Sequence, residues 1–288
     1  MSSRILPPFD LVMPSSLDEA LAALDEFGKT ATVMAGGTDV LVALKGRFRT
    51  EHIISLAAVD GLDTISFDPQ SGLRLGAMVP LSRVLDEPVI KAKYPSLWQS
   101  AAIHGTPQTR ERATVVGNIL RGSPAGDCSC AVLAWGGSVV FRSVDGEREV
   151  SIDDMWPAYG QTARQPNELA VALRLPPPLP GTGSAFARLT RTNEDLAKLN
   201  ASVRLDMEGK TCQSARIAMG CVGPTLVRLP KSEALLTGAV ITEELLAELV
   251  ETVPGEITPI DDVRSSAEYR LAVAGPYVRR LIRRILAD

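Results

Sequence analysis

The stretch Ala35-Gly36-Gly37-Thr38-Asp39 follows an apolar run typical of a β-strand, Thr32-Val33-Met34. A second stretch of small residues, Val116-Gly117-Asn118-Ile119, follows a similar run later in the chain, Ala113-Thr114-Val115. Glycine has no Cβ, so a backbone that contains it can adopt unusual φ angles and approach a ligand closely. Paired turns of this kind suit a phosphate chain, and the sequence therefore predicts two loops that grip a dinucleotide.

The chemistry of the two stretches is that of an anion site. The amides of Gly36, Gly37 and Thr38 are predicted to form a concave donor group at the start of a helix. In the second stretch Asn118 offers a side-chain amide, and Asp127 is placed to accept hydrogen bonds from ribityl or ribose hydroxyls. Neither stretch has the G-x-G-x-x-G spacing of a Rossmann turn. On pattern alone, a purely structural role is the more frequent explanation of a Gly-Gly turn.

The overall composition is that of an ordinary globular protein, with 45% hydrophobic and 22% charged residues among 288. This length allows two domains with separate cores. No apolar run reaches the roughly 18–20 residues that span a bilayer. Met1-Ser2-Ser3-Arg4 lacks the apolar core of a signal peptide, so we expect a cytoplasmic protein.

Charge and metal-binding residue types narrow the function further. The net charge of -4 argues against a nucleic-acid partner. The four cysteines and two histidines match no common metal-binding spacing, so we expect no metal in this chain.

The first part of the chain is predicted to be β-α-β-like. Ser16 and Glu19 form a capping box before an amphipathic helix, which Gly28 ends. A strand at residues 32–34 leads into the first glycine stretch, Thr38 caps a short helix at 39–45, and residues 52–56 form the next strand.

Beyond this unit, the pattern predicts short strands and helices up to a proline-rich linker at residues 176–183. The predicted strands lie within residues 65–79, at 138–142 and at 168–175, and the predicted helices lie at 81–84, 97–102 and 131–135. After the linker, residues 199–207 and 214–219 alternate like an antiparallel pair, and residues 242–250 and 267–286 are amphipathic helices. A domain boundary is therefore expected near residue 180.

Taken together, these segments resemble the FAD-binding subunits of molybdenum hydroxylases, the family that includes bacterial CO dehydrogenase and xanthine dehydrogenase. Ala35-Gly36-Gly37-Thr38-Asp39-Val40-Leu41 is similar to the first flavin-pyrophosphate loop of the family. Thr114-Val115-Val116-Gly117-Asn118-Ile119, with Thr106-Pro107-Gln108-Thr109-Arg110 before it and Gly122-Ser123-Pro124-Ala125-Gly126-Asp127 after it, is similar to the second. Asp262-Val263-Arg264-Ser265-Ser266-Ala267-Glu268-Tyr269-Arg270 resembles the signature of the family's last domain, so the resemblance spans nearly the whole chain.

The resemblance implies an α+β fold of the p-cresol methylhydroxylase type, in which two subdomains, residues 1–58 and 59–178, hold FAD between them. A C-terminal α+β domain follows at residues 182–288, with a three-stranded antiparallel sheet packed against helices. It implies an electron-transfer subunit that works with a small [2Fe-2S] subunit and a large molybdopterin subunit, in a dimer of heterotrimers. Electrons would pass to an external acceptor such as NAD⁺ or a quinone.

The resemblance also implies where the cofactor binds, and it gives this chain no catalytic residue and no metal ligand. The residues implied to bind FAD are Met34, Ala35, Gly36, Gly37, Thr38, Asp39, Val40, His104, Ala113, Thr114, Gly117, Asn118, Leu120, Asp127 and Arg188.

Three positions depart from the family's pattern. Val116 stands where the family has a glycine, so this position is expected to need no unusual φ. Arg188 stands near the position at which other family members have a lysine that reaches the flavin from the third domain. His104 stands at a position that lies beside the flavin ring in the family. The four-cysteine insert that binds an extra [4Fe-4S] cluster in one branch of the family is absent, so FAD alone is expected here.

These residues also have structural interpretations. Asp127 is suited to cap the helix that follows it, and Cys128 and Cys130 are typical of small buried thiols. His104 is more typical of a surface or hydrogen-bonded histidine than of a flavin neighbour. Arg110 and Arg112 are suited either to neutralise a pyrophosphate or to face solvent or an interface.

Two other functions stay open on the sequence alone. One is a self-contained FAD-dependent reductase similar to the UDP-N-acetylenolpyruvoylglucosamine reductases, although no acid is suitably placed for that chemistry. The other is a scaffold subunit that has lost its flavin, which only Val116 supports.

Overall fold

The computed structural model describes residues 5–287 of the chain. The prediction that the chain begins without a signal peptide rests on residues 1–4, which lie outside the described residues, as does residue 288. The described chain contains three sheets with helices around them. Among residues 5–287, every helix is too short or too polar to cross a bilayer.

The first sheet has three parallel strands in the order β1-β3-β2: β1 (Asp10–Val12), β2 (Ala31–Met34) and β3 (His52–Ser55). Helix α1 (Leu17–Phe27) begins where the Ser16 hydroxyl accepts a hydrogen bond from the Glu19 amide, as the capping box predicts. Helix α2 (Val40–Lys45) connects β2 to β3, which confirms the predicted β-α-β unit.

The second sheet has five antiparallel strands in the order β4-β5-β8-β6-β7. They are β4 (Ile65–Asp68), β5 (Gly72–Gly76), β6 (Ser138–Ser143), β7 (Gly146–Ser151) and β8 (Leu169–Leu175). Six short helices lie between β5 and β6: α3 (Leu81–Asp86), α4 (Pro88–Lys93), α5 (Pro95–Ala102), α6 (Pro107–Arg110), α7 (Val115–Leu120) and α8 (Asp127–Trp135). Burial of Tyr94, Trp135 and Phe141 fixes these helices on the sheet.

The third sheet is antiparallel and contains four strands in the order β12-β11-β10-β9. They are β9 (Thr182–Leu189), β10 (Leu199–Glu208), β11 (Thr211–Gly220) and β12 (Val227–Arg228), and α9 (Pro230–Leu236), α10 (Glu243–Thr252) and α11 (Ala267–Ala287) complete the domain. The prediction of three strands for this sheet is therefore wrong, because the sheet has four. The missed strand has only two residues, which is too short to produce a detectable alternation.

The second glycine stretch is the largest local departure from the prediction. It does not follow a strand but lies inside helix α7, whose N-cap is Thr114. The β-branched residues before it favour a strand locally. The segment is helical because the Thr114 hydroxyl accepts a hydrogen bond from the Gly117 amide at 2.9 Å and because the helix buries Val115 and Val116. At the first stretch, the residue before α2 is Asp39 and not the predicted Thr38, and its side chain makes no capping bond.

Candidate functional site

A cavity of about 530 Å³ lies where the first sheet meets α7 and β8. This volume falls within the range of about 300–1,000 Å³ that is typical of small-molecule sites. The glycine loop after β2 forms one wall, and the segment that leads into and through α7 forms another. The two stretches that decided the sequence interpretation therefore face a common space, although they are far apart in the chain.

The first glycine loop, residues 35–39, is shaped by close backbone packing. A Cβ on Gly36 would lie 1.6 Å from the carbonyl oxygen of Arg112, so no other residue fits there. Gly37 has a φ of +76°, in the left-handed region that favours glycine. Within residues 5–287, the amides of Gly36, Gly37 and Thr38 donate to no protein acceptor. These three donors are therefore available to a ligand in the cavity.

The second wall presents one further donor, on Asn118. The amide and the hydroxyl of Ser129 both donate to Asn118 Oδ1, at 3.0 and 2.9 Å. This pairing commits the Asn118 oxygen and leaves its Nδ2 group, on a residue that lines the cavity, as a donor. Gly117 has no positive φ and lies within the helix, so its role differs from that of Gly37.

Most of the residues predicted to bind the cofactor line this cavity: Ala35, Gly36, Gly37, Thr38, Asp39, Val40, His104, Ala113, Thr114, Gly117, Asn118 and Leu120. Met34 does not line it but supports the loop, because its sulfur lies 3.3 Å from where a Cβ on Gly37 would stand. Val116 also lines the cavity and is helical, as expected for a position that needs no unusual φ.

Asp127 and Arg188 form a buried pair outside the cavity lining, and their predicted role in binding the cofactor stays a prediction. Neither lines the cavity; instead Arg188 Nη1 donates to Asp127 Oδ2 at 2.8 Å, and both side chains are buried. Asn200 Nδ2 donates to the other carboxylate oxygen, Oδ1, at 2.8 Å. Asp127 is the first residue of α8 and makes no capping bond, so the capping alternative is wrong. The pair joins α8 to the third sheet.

His104 borders the cavity close to this buried pair. Burial lowers the pKa of His104 below its ordinary value of 6.5, and the nearby Asp127 carboxylate partly opposes that shift. Nδ1 of His104 is buried and has no hydrogen-bond partner within residues 5–287. An uncharged imidazole at neutral pH follows from the lowered pKa.

Several cavity residues were not predicted from the sequence. The apolar ones include Phe48, Ala77, Leu169 and Ala170, which no local pattern distinguishes from core residues. Two arginines, Arg121 and Arg164, also line it. Arg121 Nε lies 3.3 Å from Asp39 Oδ1, an ion pair that joins the two walls. The proximity of Arg121 to the second stretch was the only available signal for it.

The cysteines are the remaining candidates for chemistry, and their role is structural. The four cysteines are free and buried, and burial raises the pKa of Cys128 to about 12 and that of Cys212 to about 11. Such thiols are unreactive. No group of three or more metal-ligating side chains is present in residues 5–287. Donors on two walls with no acceptor in the described part of the chain suit an anionic cofactor, and they fit the pyrophosphate of a dinucleotide.

A cavity beside the first sheet, with amide donors on two walls, is of the kind that suits a dinucleotide cofactor. Residues 7–178 match the family "FAD binding domain in molybdopterin dehydrogenase", and residues 184–285 match "CO dehydrogenase flavoprotein C-terminal domain". The chain therefore belongs to the family of FAD-binding medium subunits of molybdenum hydroxylases, and it is an oxidoreductase subunit with FAD as its cofactor.

Individual relatives match over nearly their whole length. The chain is 31% identical to the carbon monoxide dehydrogenase medium chain of Hydrogenophaga pseudoflava, over 96% of this chain and 97% of the relative. It is 27% identical to a putative xanthine dehydrogenase FAD-binding subunit of Escherichia coli, over 89% of each.

Solved structures give the same result for the fold. Carbon monoxide dehydrogenase from Hydrogenophaga pseudoflava matches with a TM-score of 0.94 at 31% identity, covering 98% of this chain and 99% of that one. Quinoline 2-oxidoreductase from Pseudomonas putida 86 matches with a TM-score of 0.90 at 26% identity, covering 98% of each chain. The predicted α+β fold is thereby confirmed.

Proposed function

We propose that this chain carries electrons from the [2Fe-2S] clusters of a small partner subunit to an external acceptor such as NAD⁺ or a quinone. The clusters would be reduced by a molybdopterin centre in a large partner subunit, and the complex would be a cytoplasmic dimer of heterotrimers. Support comes from relatives named as a medium chain of carbon monoxide dehydrogenase and as a subunit of the 6-hydroxypseudooxynicotine dehydrogenase complex.

The observation that carries this proposal is the set of donors on the cavity walls that have no acceptor among residues 5–287. The amides of residues 36–38 and the Asn118 side-chain amide are the groups that would hold the FAD pyrophosphate. Asp39 is the acidic residue beside them, and its ion pair with Arg121 offsets its charge. When bound, FAD supplies the redox chemistry. The chain's own residues bind and orient it, and no nucleophile is required of them.

We further propose that the chain divides at the predicted boundaries into units 1–58, 59–178 and 182–288. Each unit contains one of the three sheets. The first two share part of a core, because Leu24 and Ile54 belong to the same buried cluster as Val140 of the second sheet. This shared packing would keep the two walls of the cavity at a fixed separation.

The alternative of a self-contained reductase is less well supported. The C-terminal domain matches that of CO dehydrogenase flavoproteins over residues 184–285, and the cavity contains no unpaired carboxylic acid suited to protonate a substrate within the described part of the chain. A reductase of this kind would turn over an organic substrate with NAD(P)H as an isolated chain, whereas the proposed subunit needs its partners.

The test uses Gly37→Asp and Gly37→Asn in the complete complex. Both side chains have the same shape and tolerate the left-handed region better than other residues, so they differ mainly in charge. We expect the wild type to copurify with [2Fe-2S] and molybdopterin subunits, to contain FAD, and to lose it in Gly37→Asp far more than in Gly37→Asn.

Three results would count against the proposal. Equal FAD content in the Asp and Asn variants would contradict the placement of the pyrophosphate at this loop. A folded wild-type chain that takes up no FAD even when it is supplied in excess would overturn the flavin function itself. Copurification without iron–sulfur or molybdopterin partners would favour the isolated reductase.

A further inference from the structure

The segment that presents His104 to the cavity, residues 103–105, is held by its backbone carbonyl oxygens. Arg110 Nη1 donates to the carbonyl of Gly105 at 2.8 Å and to that of His104 at 3.3 Å. Arg188 Nη2 donates to the carbonyl of Ile103 at 2.8 Å. Two arginines therefore fix three consecutive carbonyls, and only Arg110 belongs to the same unit as the segment.

Arg188 reaches this segment from the third sheet. It lies on β9, its side chain is 7% exposed, and it also donates to the carbonyl of Asn193 at 2.6 Å. Its other terminal nitrogen, Nη1, pairs with Asp127 at 2.8 Å. One planar guanidinium thus connects the C-terminal domain to α8 and to the residue just before His104.

Asp127 serves this connection as a carboxylate. Its two oxygens accept one hydrogen bond each, from Arg188 and from Asn200. Both contacts are made by N–H donors, which favour the ionised form of the carboxyl group. Burial raises the pKa of Asp127, and the Arg188 and Asn200 contacts oppose that rise. A buried carboxylate held in this way orders the arginine that it contacts.

His104 is the group on which this connection acts. It lines the cavity, and the charged groups that face it are Asp127, Arg188, Asp39 and Arg110. Its Nδ1 is enclosed without a partner in the described part of the chain, whereas Nε2 makes no hydrogen bond there and is not enclosed. The accessible edge of the imidazole is therefore available to a group in the cavity.

We propose that Arg188 is a positioning residue: it does not touch the cofactor, but it locks His104 against the flavin through the Ile103 carbonyl and Asp127. The C-terminal domain would thereby influence the flavin's electronic environment from a distance. This inference rests on the proposed function, because it requires FAD in the cavity. The arginine therefore has a different role from the flavin-reaching lysine that the resemblance implied at this position.

The experiment is a double-mutant cycle in the intact complex with Arg188→Met, His104→Ala and the combination. The measured quantities are the midpoint potential of the flavin and its visible absorption spectrum. We expect Arg188→Met and His104→Ala each to shift both, and Arg188→Met to cause no further shift once His104 is absent. For the rate of FAD release, we expect the effect of the double variant to differ by about threefold or more from the product of the two single effects. Residues in one network are coupled in this way.

The matched control is Arg204→Met. Arg204 is likewise a buried arginine of the third sheet that crosses to the second unit, pairing with Asp206 and donating to the Trp135 carbonyl at 2.9 Å. It does not contact residues 103–105, so its loss is expected to reduce stability without moving the flavin potential. Arg188→Lys keeps the charge beside Asp127 but lacks the forked guanidinium group. We therefore expect it to shift the flavin potential less than Arg188→Met does.

The outcomes separate the inference from the proposed function. Equal shifts from Arg188→Met with and without His104 would overturn the inference, as would an unchanged potential in the single variants. If Arg188→Met does not fold, an Arg188→Lys shift that persists in the His104→Ala background overturns it in the same way. A wild-type complex that contains no FAD would refute the proposed function, whereas FAD-loaded variants with unaltered potentials would refute the inference alone.

Discussion

The two glycine stretches look alike in the sequence but differ in the structure. The loop at residues 35–39 depends on glycine twice, because Gly36 lies against the Arg112 carbonyl and Gly37 has a positive φ. In helix α7, Gly117 has no positive φ, and a Cβ added to it would meet only the capping Thr114 hydroxyl, at 2.9 Å, among the described residues. Glycine is thus a steric requirement in the first stretch, whereas in the second the donors are organised by a capped helix.

This difference explains why the chain can lack one of the family's glycines. Val116 is a buried helical residue, 3% exposed, and its backbone needs no unusual angle. A glycine there would serve no conformational purpose in this protein. The hypothesis that Val116 marks a chain that has lost its flavin therefore has no support in the geometry.

The largest effect is predicted for Gly36→Ala. The new methyl group would overlap the Arg112 carbonyl, so the loop must move, and we expect a loss of about 2–4 kcal/mol in the free energy of unfolding together with loss of FAD. Gly117→Ala is the control, with an expected change within about 1 kcal/mol. Denaturant unfolding and the FAD-to-protein ratio measure both, and equal effects would contradict the contrast between the stretches.

Val116→Gly is predicted to have the next largest effect, and on stability alone. Removing a buried side chain and placing glycine within a helix should cost about 2–3 kcal/mol. We expect the FAD content of the purified complex to remain at the wild-type level. A gain in FAD affinity would show that the family's glycine has a binding role that the helix geometry does not reveal.

Thr114→Val is predicted to weaken helix α7 by about 1 kcal/mol, the usual cost of losing an N-cap. The hydroxyl that accepts the Gly117 amide is lost, whereas the shape of the side chain is kept. Thr114→Ser keeps the hydroxyl and should retain the wild-type stability. Thermal unfolding of the three proteins distinguishes capping from packing, and an equally destabilised serine variant would point to packing.

The smallest effect concerns pH and His104. Because burial lowers its pKa below 6.5, the unfolded chain binds a proton more readily than the folded one as the pH falls. The contribution of this histidine to stability is therefore complete above about pH 6.5 and is lost as the pH falls through its folded pKa. The unfolding free energy of the wild type minus that of His104→Gln should decline below about pH 6.5; a constant difference would contradict the burial argument.

Much of the fold could be predicted because its signals are local. The capping residue Ser16 and the alternation in β10 and β11 correspond to observed elements. Helix α7 could not be predicted, because Thr114, Val115 and Val116 favour a strand and only burial and capping reverse that preference.

The candidate site likewise contains residues that the sequence predicts and residues that it does not. The glycine loop and Asn118 were predicted from residue types that suit a phosphate. Arg121 and Arg164 were missed because their positions depend on how the units pack. That Asp127 and Arg188 bind the cofactor stays a prediction. Their pairing with each other depends on tertiary packing, which no local pattern reveals.

The most direct test of the central claim is an experimental structure of the complex with FAD bound. We predict that pyrophosphate oxygens lie within about 2.7–3.2 Å of amides of residues 36–38, and that Asn118 Nδ2 donates to the same cofactor from the opposite wall. A pyrophosphate bound away from the 35–39 loop, with these amides facing solvent, would contradict the claim that both stretches hold one cofactor.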